Sequence, residues 1–171
     1  MAKPKTASWS KLIISVGDGA TPTEAFTRQC GLTSKGISFT SDVADVAVPD
    51  CDNPDDPAWA ERSVSTKSCA VSGDGVLATD HRADWDEWFQ SGEARNCRIE
   101  IDIPLADGGG YYEGAFILST FTVNGNQDDA KLTIEVEMQS DGPVTWVDAL
   151  ALVSFVSRVS LAGASSLMRW M

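Results

Sequence analysis

Two short segments with strictly alternating apolar and polar residues decide the fold of this chain. The first is Arg98–Ile103, which reads RIEIDI, and the second is Lys131–Gln139, which reads KLTIEVEMQ. Alternation with a period of two is the signature of a β-strand with one buried face and one solvent-exposed face. Because a shift by one residue would bury the carboxylates and expose Ile and Leu, the register of both strands is strongly fixed.

A third strand between these two completes the predicted sheet. Tyr111–Val123, which reads YYEGAFILSTFTV, is apolar at both odd and even positions, as is typical of a strand covered on both faces. Asn124-Gly125 then predicts a hairpin turn before the strand Lys131–Gln139. We therefore expect a mainly β fold, a sandwich or barrel-like sheet with one dry face and one acidic face. The acidic face is expected to carry Glu100, Asp102, Glu135 and Glu137.

The charge of the chain narrows the range of its partners. The 171 residues include 13 Lys and Arg against 25 Asp and Glu, which gives a formal net charge of -12. Such a chain repels nucleic acid and anionic membranes, and a nucleic-acid reader normally has a basic patch. The first eight residues have no apolar run that would make a signal peptide. We therefore expect synthesis in the cytoplasm, no stable nucleic-acid complex and no membrane partner.

The length predicts a single folded domain with a segment on either side. We expect an N-terminal arm at residues 1–10, a β-sandwich domain at residues 11–148 and a C-terminal extension at residues 149–171. Leu150–Met171 has no acidic residue and is apolar enough to suggest a membrane span, but Arg158 lies in its middle. A central Arg costs roughly 2.5 kcal/mol on insertion scales. The extension is therefore expected to pack on its own domain or on a neighbour.

Ser41–Glu61 differs in composition from the rest of the chain. It holds seven acidic residues, no Lys or Arg, and three prolines, which predicts a long loop or an extended hairpin outside the core. Its apolar residues indicate a surface that another molecule covers; they are Val43, Val46, Val48 and Trp59. A strand at Arg62–Val71, a tight turn at Ser72–Gly75 and a continuation of the hairpin at Val76–Ala78 are expected to follow.

One helix is predicted at about residues 80–91. Thr79 or Asp80 can cap it, and Gly92 ends it. Trp85, Trp88 and Phe89 fall on one face at i, i+3 and i+4. This stripe predicts a helix that packs across an open sheet, and a carbohydrate-stacking site is the alternative use of the same residues.

No segment of the sequence predicts catalysis or cofactor binding. The acidic residues of Asp50–Asp56 lack the Gly and the terminal Glu of an EF-hand loop. His81 is the sole histidine and has no recognisable nucleophile, so a structural role is favoured. The four carboxylates of the acidic face are expected on open, solvent-exposed strand faces, which argues against a glycosidase pair. Cys30, Cys51, Cys69 and Cys97 form no zinc motif, and either reduced thiols or a disulfide formed after release fits them. We expect no enzyme, no metal and no cofactor.

The order of several segments resembles a known family. These are GDGATPTEAF at residues 17–26, GISFTSD at 36–42, DHRADWDEWFQSGE at 80–93, RIEIDIPL at 98–105 and the strands from Tyr111 to the closing DGPVTW. Over Leu12–Asp148 the chain resembles the major tail proteins that form the tail tube of long-tailed bacteriophages and gene transfer agents. The resemblance implies a β-sandwich with one flanking helix, assembled into six-fold rings that stack into a hollow tube for genome delivery.

The resemblance also implies partners and surfaces. Glu100, Asp102, Glu135 and Glu137 would line the channel, and Val43, Val46, Val48 and Trp59 would contact the adjacent ring. The partners would be copies of the chain itself, a tape-measure protein, and the tail terminator and distal tail proteins, with DNA only in transit. The protein would belong to the virion tail and assemble in the host bacterial cytoplasm. The alternative is a small immunoglobulin-like module that binds a carbohydrate or protein through Trp59, Tyr111 or Tyr112.

Overall fold

The computed structural model describes residues 3–53, 55–125 and 131–149. Within these residues it confirms a mainly β fold with one α-helix. The strands are β1 (Leu12–Gly17), β2 (Phe26–Arg28), β3 (Leu32–Val48), β4 (Trp59–Val76), β5 (Arg95–Ile101), β6 (Gly110–Gly125), β7 (Leu132–Ser140) and β8 (Thr145–Asp148). The helix α1 spans Thr79–Ser91, and two short 3-10 turns lie at Trp9–Lys11 and Leu105–Asp107.

All strand pairs are antiparallel and belong to one sheet. Its order is β2-β1-β5-β6-β7-β4-β3, and β8 also pairs with β6. Phe116 in the middle of β6 pairs with Arg95 of β5 and with Ser140 of β7, so β5 and β7 lie on opposite edges of β6. We call β3, β4, β7 and residues 117–125 of β6 the long half. We call β2, β1, β5, β8 and residues 110–116 of β6 the short half.

The sheet curls so that one of its faces encloses the core. The buried cluster takes side chains from both halves, for example Ile14 and Ile99 from the short half and Val71 and Met138 from the long half. Phe39 of β3, which is 54% exposed, contacts Tyr112 of β6 at the margin of the core, with ring centroids 5.0 Å apart. Because the same face of both halves points inward, their outer faces point away from each other.

The helix lies where the sequence predicts it, and two of its three aromatic residues fill the core. Trp85 and Trp88 are buried with ring centroids 5.7 Å apart, and the Trp88 indole donates to the Glu93 carbonyl at 2.9 Å. Phe89 is 44% exposed, which corrects the prediction that it packs on the sheet with them. At 100° per residue, Trp88 and Phe89 lie on opposite sides of Trp85, and the buried stripe is centred between the two tryptophans. Gly92 ends the helix in the left-handed conformation with φ 64°.

The acidic segment is the distal part of a long hairpin. β3 and β4 pair from Leu32 with Gly75 to Val48 with Trp59, so the hairpin prediction for Ser41–Glu61 is correct apart from the connection at residues 49–58. The predicted turn at Ser72–Gly75 is wrong, because β4 runs straight through it. Gly73 and Gly75 are strand residues there, and a Cβ on Gly75 would lie 2.2 Å from the Gly31 carbonyl oxygen. Glycine in this segment serves close packing of backbones and not chain reversal.

Three further differences concern strand ends and faces. β5 ends at Ile101, so Asp102 is not part of the ladder, and β2 is a short strand that the sequence did not predict. Phe116 and Leu118 of β6 are buried, whereas Ile117 is exposed, so one face of this strand is open in the single chain. The apolar run of β6 misled the prediction because it matches a strand covered on both faces.

The N-terminal arm contacts its own domain. Lys5 forms an ion pair with Asp107 at 2.7 Å, and the Lys35 ammonium lies 5.6 Å from the centre of the Trp9 ring. Directly after β8, the Ala149 amide donates to the Gly109 carbonyl at 3.0 Å. From Leu150 onward, the expected C-terminal extension lies outside the residues that the structure describes. The division into arm, domain and extension stays a prediction.

Candidate assembly surfaces

The outer face of the long half carries a group of carboxylates. Glu135 lies directly opposite Asp74 of β4, and Glu137 lies opposite Ser72. Asp42 of β3 lies on the same face by alternation and accepts a hydrogen bond from Thr66 Oγ1 at 2.6 Å. Side chains directly opposite each other in an antiparallel ladder have Cβ atoms roughly 5 Å apart, so the like charges of Asp74 and Glu135 repel each other. The two glutamates of β7 are thus part of a larger acidic surface.

The other two carboxylates predicted for this surface lie elsewhere. Glu100 is opposite Tyr111 in the short half, whose outer face points away from that of the long half. Asp102 follows the end of β5 and forms an ion pair with Lys11 at 2.6 Å. The structure therefore brings Glu135 and Glu137 together and separates both from Glu100 and Asp102. Sequence alternation alone cannot reveal this, because it identifies the face of a strand and not the bend of the sheet.

The outer face of the short half is less acidic because a cation neutralises part of it. Arg98 Nε donates to Glu113 Oε2 at 2.8 Å across the β5–β6 pair. The guanidinium of Arg98 also lies 3.8 Å from the centre of the Phe26 ring and 5.0 Å from that of Tyr111. Two of the charges on this face are therefore paired, and two aromatic rings cover the guanidinium.

Asp42 and Asp74 are the acidic surface residues that the sequence analysis missed. Asp74 was assigned to a turn because it stands within Ser-Gly-Asp-Gly. The alternation from Cys69 through Val71, Gly73 and Gly75 was the available signal, since these four residues are small or apolar and occupy inward-facing positions of β4. Reading glycine as an apolar residue in a period-two pattern would have placed Asp74 on the outer face.

The distal hairpin exposes apolar residues on both of its faces. Val46 and Val48 lie on one face with Trp59, which pairs with Val48 and is 89% exposed. Val43 lies on the other face, opposite Val64, and the ion pair between Asp45 and Arg62 at 3.1 Å is on that same face. The four residues predicted as one contact surface are therefore divided, three on one face and Val43 on the other.

Two edges of the long half have no strand partner within residues 3–53, 55–125 and 131–149. One is the edge of β3 away from β4, since β3 ends the sheet. The other is the edge of β6 at residues 117–125 on the β5 side, since β5 stops pairing at Phe116. Unpaired strand edges are templates for pairing with another chain. The long half thus has two different edges at which a further sheet can be added.

Two of the three aromatic residues of the alternative binding module are engaged within the fold. Tyr112 packs between Phe39 and Trp146, whose ring centroid is 4.6 Å from its own. Tyr111 lies beside Arg98, while Trp59 is on the hairpin, at the far end of the long half. The three residues therefore do not share one binding surface.

The other side chains that could bind a metal or react chemically are not grouped together in the described residues. His81 Nδ1 is 3.9 Å from an Asp84 carboxylate oxygen. Over the described ranges, no three His, Cys, Asp or Glu side chains are grouped so as to hold a metal ion, and no helix is long and apolar enough to cross a membrane. All four cysteines are unpaired; Cys30 and Cys51 are exposed, and Cys69 and Cys97 are buried. Burial raises the pKa of the Cys97 thiol to about 12, helped by the nearby charge of Glu24.

Comparison with solved structures identifies similar folds in phage-like tails. A chain in the tail of an empty gene transfer agent particle, refined with C6 symmetry, has a TM-score of 0.66 at 22% identity, covering 83% of this chain and 99% of that one. The SPP1 tail tube gives a TM-score of 0.54 at 9% identity, covering 83% and 80%. The tube-terminating cap of the anti-feeding prophage gives 0.59 at 11% identity, covering 87% and 95%.

Sequence comparison identifies the family. Curated protein sequences give no significant match. The profile of the phage tail tube protein family, however, matches residues 6–146, which is most of the chain. The match includes both strand edges of the long half, the acidic outer face and the hairpin. The chain belongs to the phage tail tube protein family.

Proposed function

We propose that six copies of this chain close into a ring in which the outer faces of the long halves line the bore. The chain is a structural tail tube protein, and its family is not known for catalysis. The observation that carries the ring geometry is that the long half combines two different unpaired edges with an acidic outer face. The C6 symmetry of the gene transfer agent tail supports the number of copies.

Ring closure would join two different edges of neighbouring copies. The β3 edge of one copy would pair with residues 117–125 of β6 in the next copy. Such a contact is heterologous. Repeating it produces a closed ring when the rotation from one copy to the next is a whole-number fraction of a full turn. Four strands from each copy would then form one continuous barrel without free edges, which removes the aggregation risk of the single chain.

The acidic bore would let DNA pass without binding it. Asp42, Asp74, Glu135 and Glu137 present carboxylates on the proposed lining. DNA binding is driven largely by release of counterions when cations neutralise phosphates, and a carboxylate wall provides no such gain. Reversing the charge with Glu135→Lys and Glu137→Lys should permit assembly but slow genome ejection.

Other partners follow from the position of a tube in the virion tail. Stacked rings would enclose a tape-measure protein and would end at tail terminator and distal tail proteins. The cap of the anti-feeding prophage, which has a similar fold, supports contacts at a tube end. Assembly would take place in the host bacterial cytoplasm, before the virion is released.

Labelling of single cysteines tests which face lines the bore. The background is Cys30→Ser with Cys51→Ser, because Cys69 and Cys97 are buried. In this background Glu137→Cys should react in tubes with a small maleimide but not with a maleimide attached to a polyethylene glycol chain of about 5 kDa. The polymer is excluded because it is too large to enter a bore built at ordinary strand spacing. Glu100→Cys, the matched control, should react with both reagents in tubes, and both variants should react with both in monomers.

The reverse pattern would refute the proposed lining. If tubes protect Glu100→Cys and leave Glu137→Cys open to the large reagent, the short half faces the bore. If the chain stays monomeric at every concentration, ring formation itself is refuted.

A further inference from the structure

We infer that a cavity beside the helix binds an organic cation, one that carries ammonium or guanidinium groups. The cavity lies between α1, the connection from β1 to β2 and the segment from Glu93 to Asn96, and its volume is about 440 Å³. We call it the helix cavity. The inference does not depend on ring formation, because binding is measured on the single chain.

The walls of the helix cavity are strongly acidic. Five carboxylates line it, against one guanidinium, that of Arg95; they belong to Asp18, Glu24, Asp84, Glu87 and Glu93. Arg95 Nη2 lies 3.9 Å from Glu87 Oε1, and the guanidinium lies 5.8 Å from the centre of the Trp88 ring. Arg95 can therefore neutralise one of the five charges. The remaining negative charge attracts a cation into the cavity and repels anions.

Two of these carboxylates are held in place by hydrogen bonds. Asp18 Oδ1 accepts from two backbone amides of its own loop, both at 3.0 Å. Glu24 accepts from the Gly19 amide at 3.1 Å through Oε1 and from Asn96 Nδ2 at 2.8 Å through Oε2. Because both charges are positioned before a ligand arrives, binding does not have to order these side chains.

A buried acceptor in the wall of the helix cavity lacks a donor. Gln29 lines the cavity and is 8% exposed, and its Nε2 donates to the Thr27 carbonyl at 3.2 Å. Its Oε1 is also buried but has no hydrogen-bond partner among the residues that the structure describes. Buried side-chain oxygens are almost always paired. This oxygen therefore marks a position for an N–H donor that the described residues do not provide.

The spacing of the carboxylates indicates which kind of cation fits. In the part of the chain that the structure describes, no three acidic side chains are close enough together to hold one metal ion. Carboxylates spread around a cavity instead suit a cation with several separated donors. Ammonium and guanidinium groups have such donors, whereas a metal ion cannot donate a hydrogen bond to Gln29. A polyamine such as spermidine is the simplest free ligand of this class, and a basic protein side chain is the other source of the same groups.

Titration of the full-length monomer with spermidine tests the site. In amide correlation NMR spectra we expect saturable shifts of the Gln29 side-chain amide and of the Gly19 and Glu93 backbone amides. Mg²⁺ at the same ionic strength is the control and should leave the Gln29 side-chain amide unchanged. No saturable shift with spermidine, or the same shift with Mg²⁺, would overturn the inference.

Two double variants of the helix separate a local site from the effect of overall charge. Asp84→Asn with Glu87→Gln removes two carboxylates of the cavity and should weaken spermidine binding by about three- to thirtyfold. Asp80→Asn with Asp86→Asn removes the same charge from the same helix but outside the cavity lining, and should change the affinity by less than about twofold. Equal weakening in both variants would show that no local site exists.

A further variant tests the unpaired oxygen itself. Gln29→Met keeps the length of the side chain but has no carbonyl, and it should weaken spermidine binding by about tenfold. The amide spectrum of the variant shows whether it is folded. Unchanged affinity in a folded Gln29→Met chain would contradict the role of this oxygen.

The source of the cation is distinguished with the chain's own basic residues after Ala149, which are Arg158 and Arg169. If one of them occupies the helix cavity, Arg158→Gln with Arg169→Gln should tighten spermidine binding, because a competitor is removed, and should shift the Gln29 side-chain amide before any ligand is added. If the site takes a free cation, the variant should match the unsubstituted chain in both measurements. Either result supports the site and identifies its ligand.

Discussion

At the scale of single residues, Trp88 contributes most clearly to the stability of the core. It is 1% exposed, stacks on Trp85 and donates a hydrogen bond to the Glu93 carbonyl. Trp88→Ala should lower the free energy of unfolding by about 3–5 kcal/mol, because it leaves a cavity and an unpaired carbonyl. Urea denaturation of the monomer measures this loss. Phe89→Ala on the same helix should cost less than about 1 kcal/mol, and equal losses in both variants would contradict the assigned packing.

The buried thiol of Cys97 predicts how stability depends on pH. Burial raises its pKa from 9.0 to about 12, so the folded chain keeps this proton at a pH where the unfolded chain has lost it. The stabilisation is complete below pH 9 and is lost as the pH rises from 9 to 12. Over that interval Cys97→Ala should reduce the pH slope of the unfolding free energy by up to about 1.4 kcal/mol per pH unit. Unchanged slopes in urea titrations at several pH values would contradict this account.

The sequence predicted the burial of individual side chains correctly where the period-two alternation of a strand matches its buried face. Ile99, Ile134, Val136 and Met138 are buried as the alternation requires. Phe89 was predicted to pack on the sheet with the two tryptophans, because residues at i, i+3 and i+4 lie near one helix face. Sequence spacing does not show how wide the buried part of that face is. Glu100 and Asp102 were grouped with Glu135 and Glu137 because alternation contains no information on sheet curvature or on the residue at which a strand ends.

At the scale of elements, Gly73 and Gly75 allow β4 to pass close to the start of β3. A Cβ at position 75 would lie 2.2 Å from the Gly31 carbonyl oxygen and 2.6 Å from the Thr33 amide nitrogen. Gly75→Ala should therefore destabilise the fold by more than about 2 kcal/mol, since backbone atoms cannot rotate away. Gly36→Ala is the control, because its Cβ would meet only the Ser72 hydroxyl, at 3.1 Å. Thermal unfolding compares them, and a tolerated Gly75→Ala would contradict the strand assignment.

The same close approach explains why the sequence misidentified this element. Ser-Gly-Asp-Gly has the composition of a tight turn, and nothing local distinguishes it from a strand that requires glycine for tertiary packing. Pairing between β3 and β4 determines the outcome, since it joins residues that are distant in sequence, such as Leu32 and Gly75. The helix, by contrast, was predicted to within a residue because its stripe and its terminal Gly92 are local signals.

The ladder between β4 and β7 carries an unfavourable pair that can be relieved. Asp74 and Glu135 lie directly opposite each other on the outer face. Glu135→Gln should raise the free energy of unfolding of the monomer by about 0.2–1 kcal/mol in low salt, and the gain should shrink in high salt. Glu100→Gln, opposite an uncharged Tyr111, is the control and should give little change. A loss of stability on Glu135→Gln would contradict the register.

At the scale of the whole molecule, both halves of the curled sheet build the core together with the helix. The long half in addition provides the open edges, the acidic face and the hairpin. Assembly is costly for a chain of net charge -12 unless backbone pairing and apolar burial offset the repulsion. Both contributions are available, at the β3 and β6 edges and at the exposed apolar residues of the hairpin.

Cryo-electron microscopy of tubes grown from the purified chain tests the central claim most directly. We predict six copies per ring, with Glu135 and Glu137 of β7 facing the bore and β1 and β5 on the outside. A map in which β1 and β5 line the bore, or a chain that forms no tube at any concentration, would contradict the account.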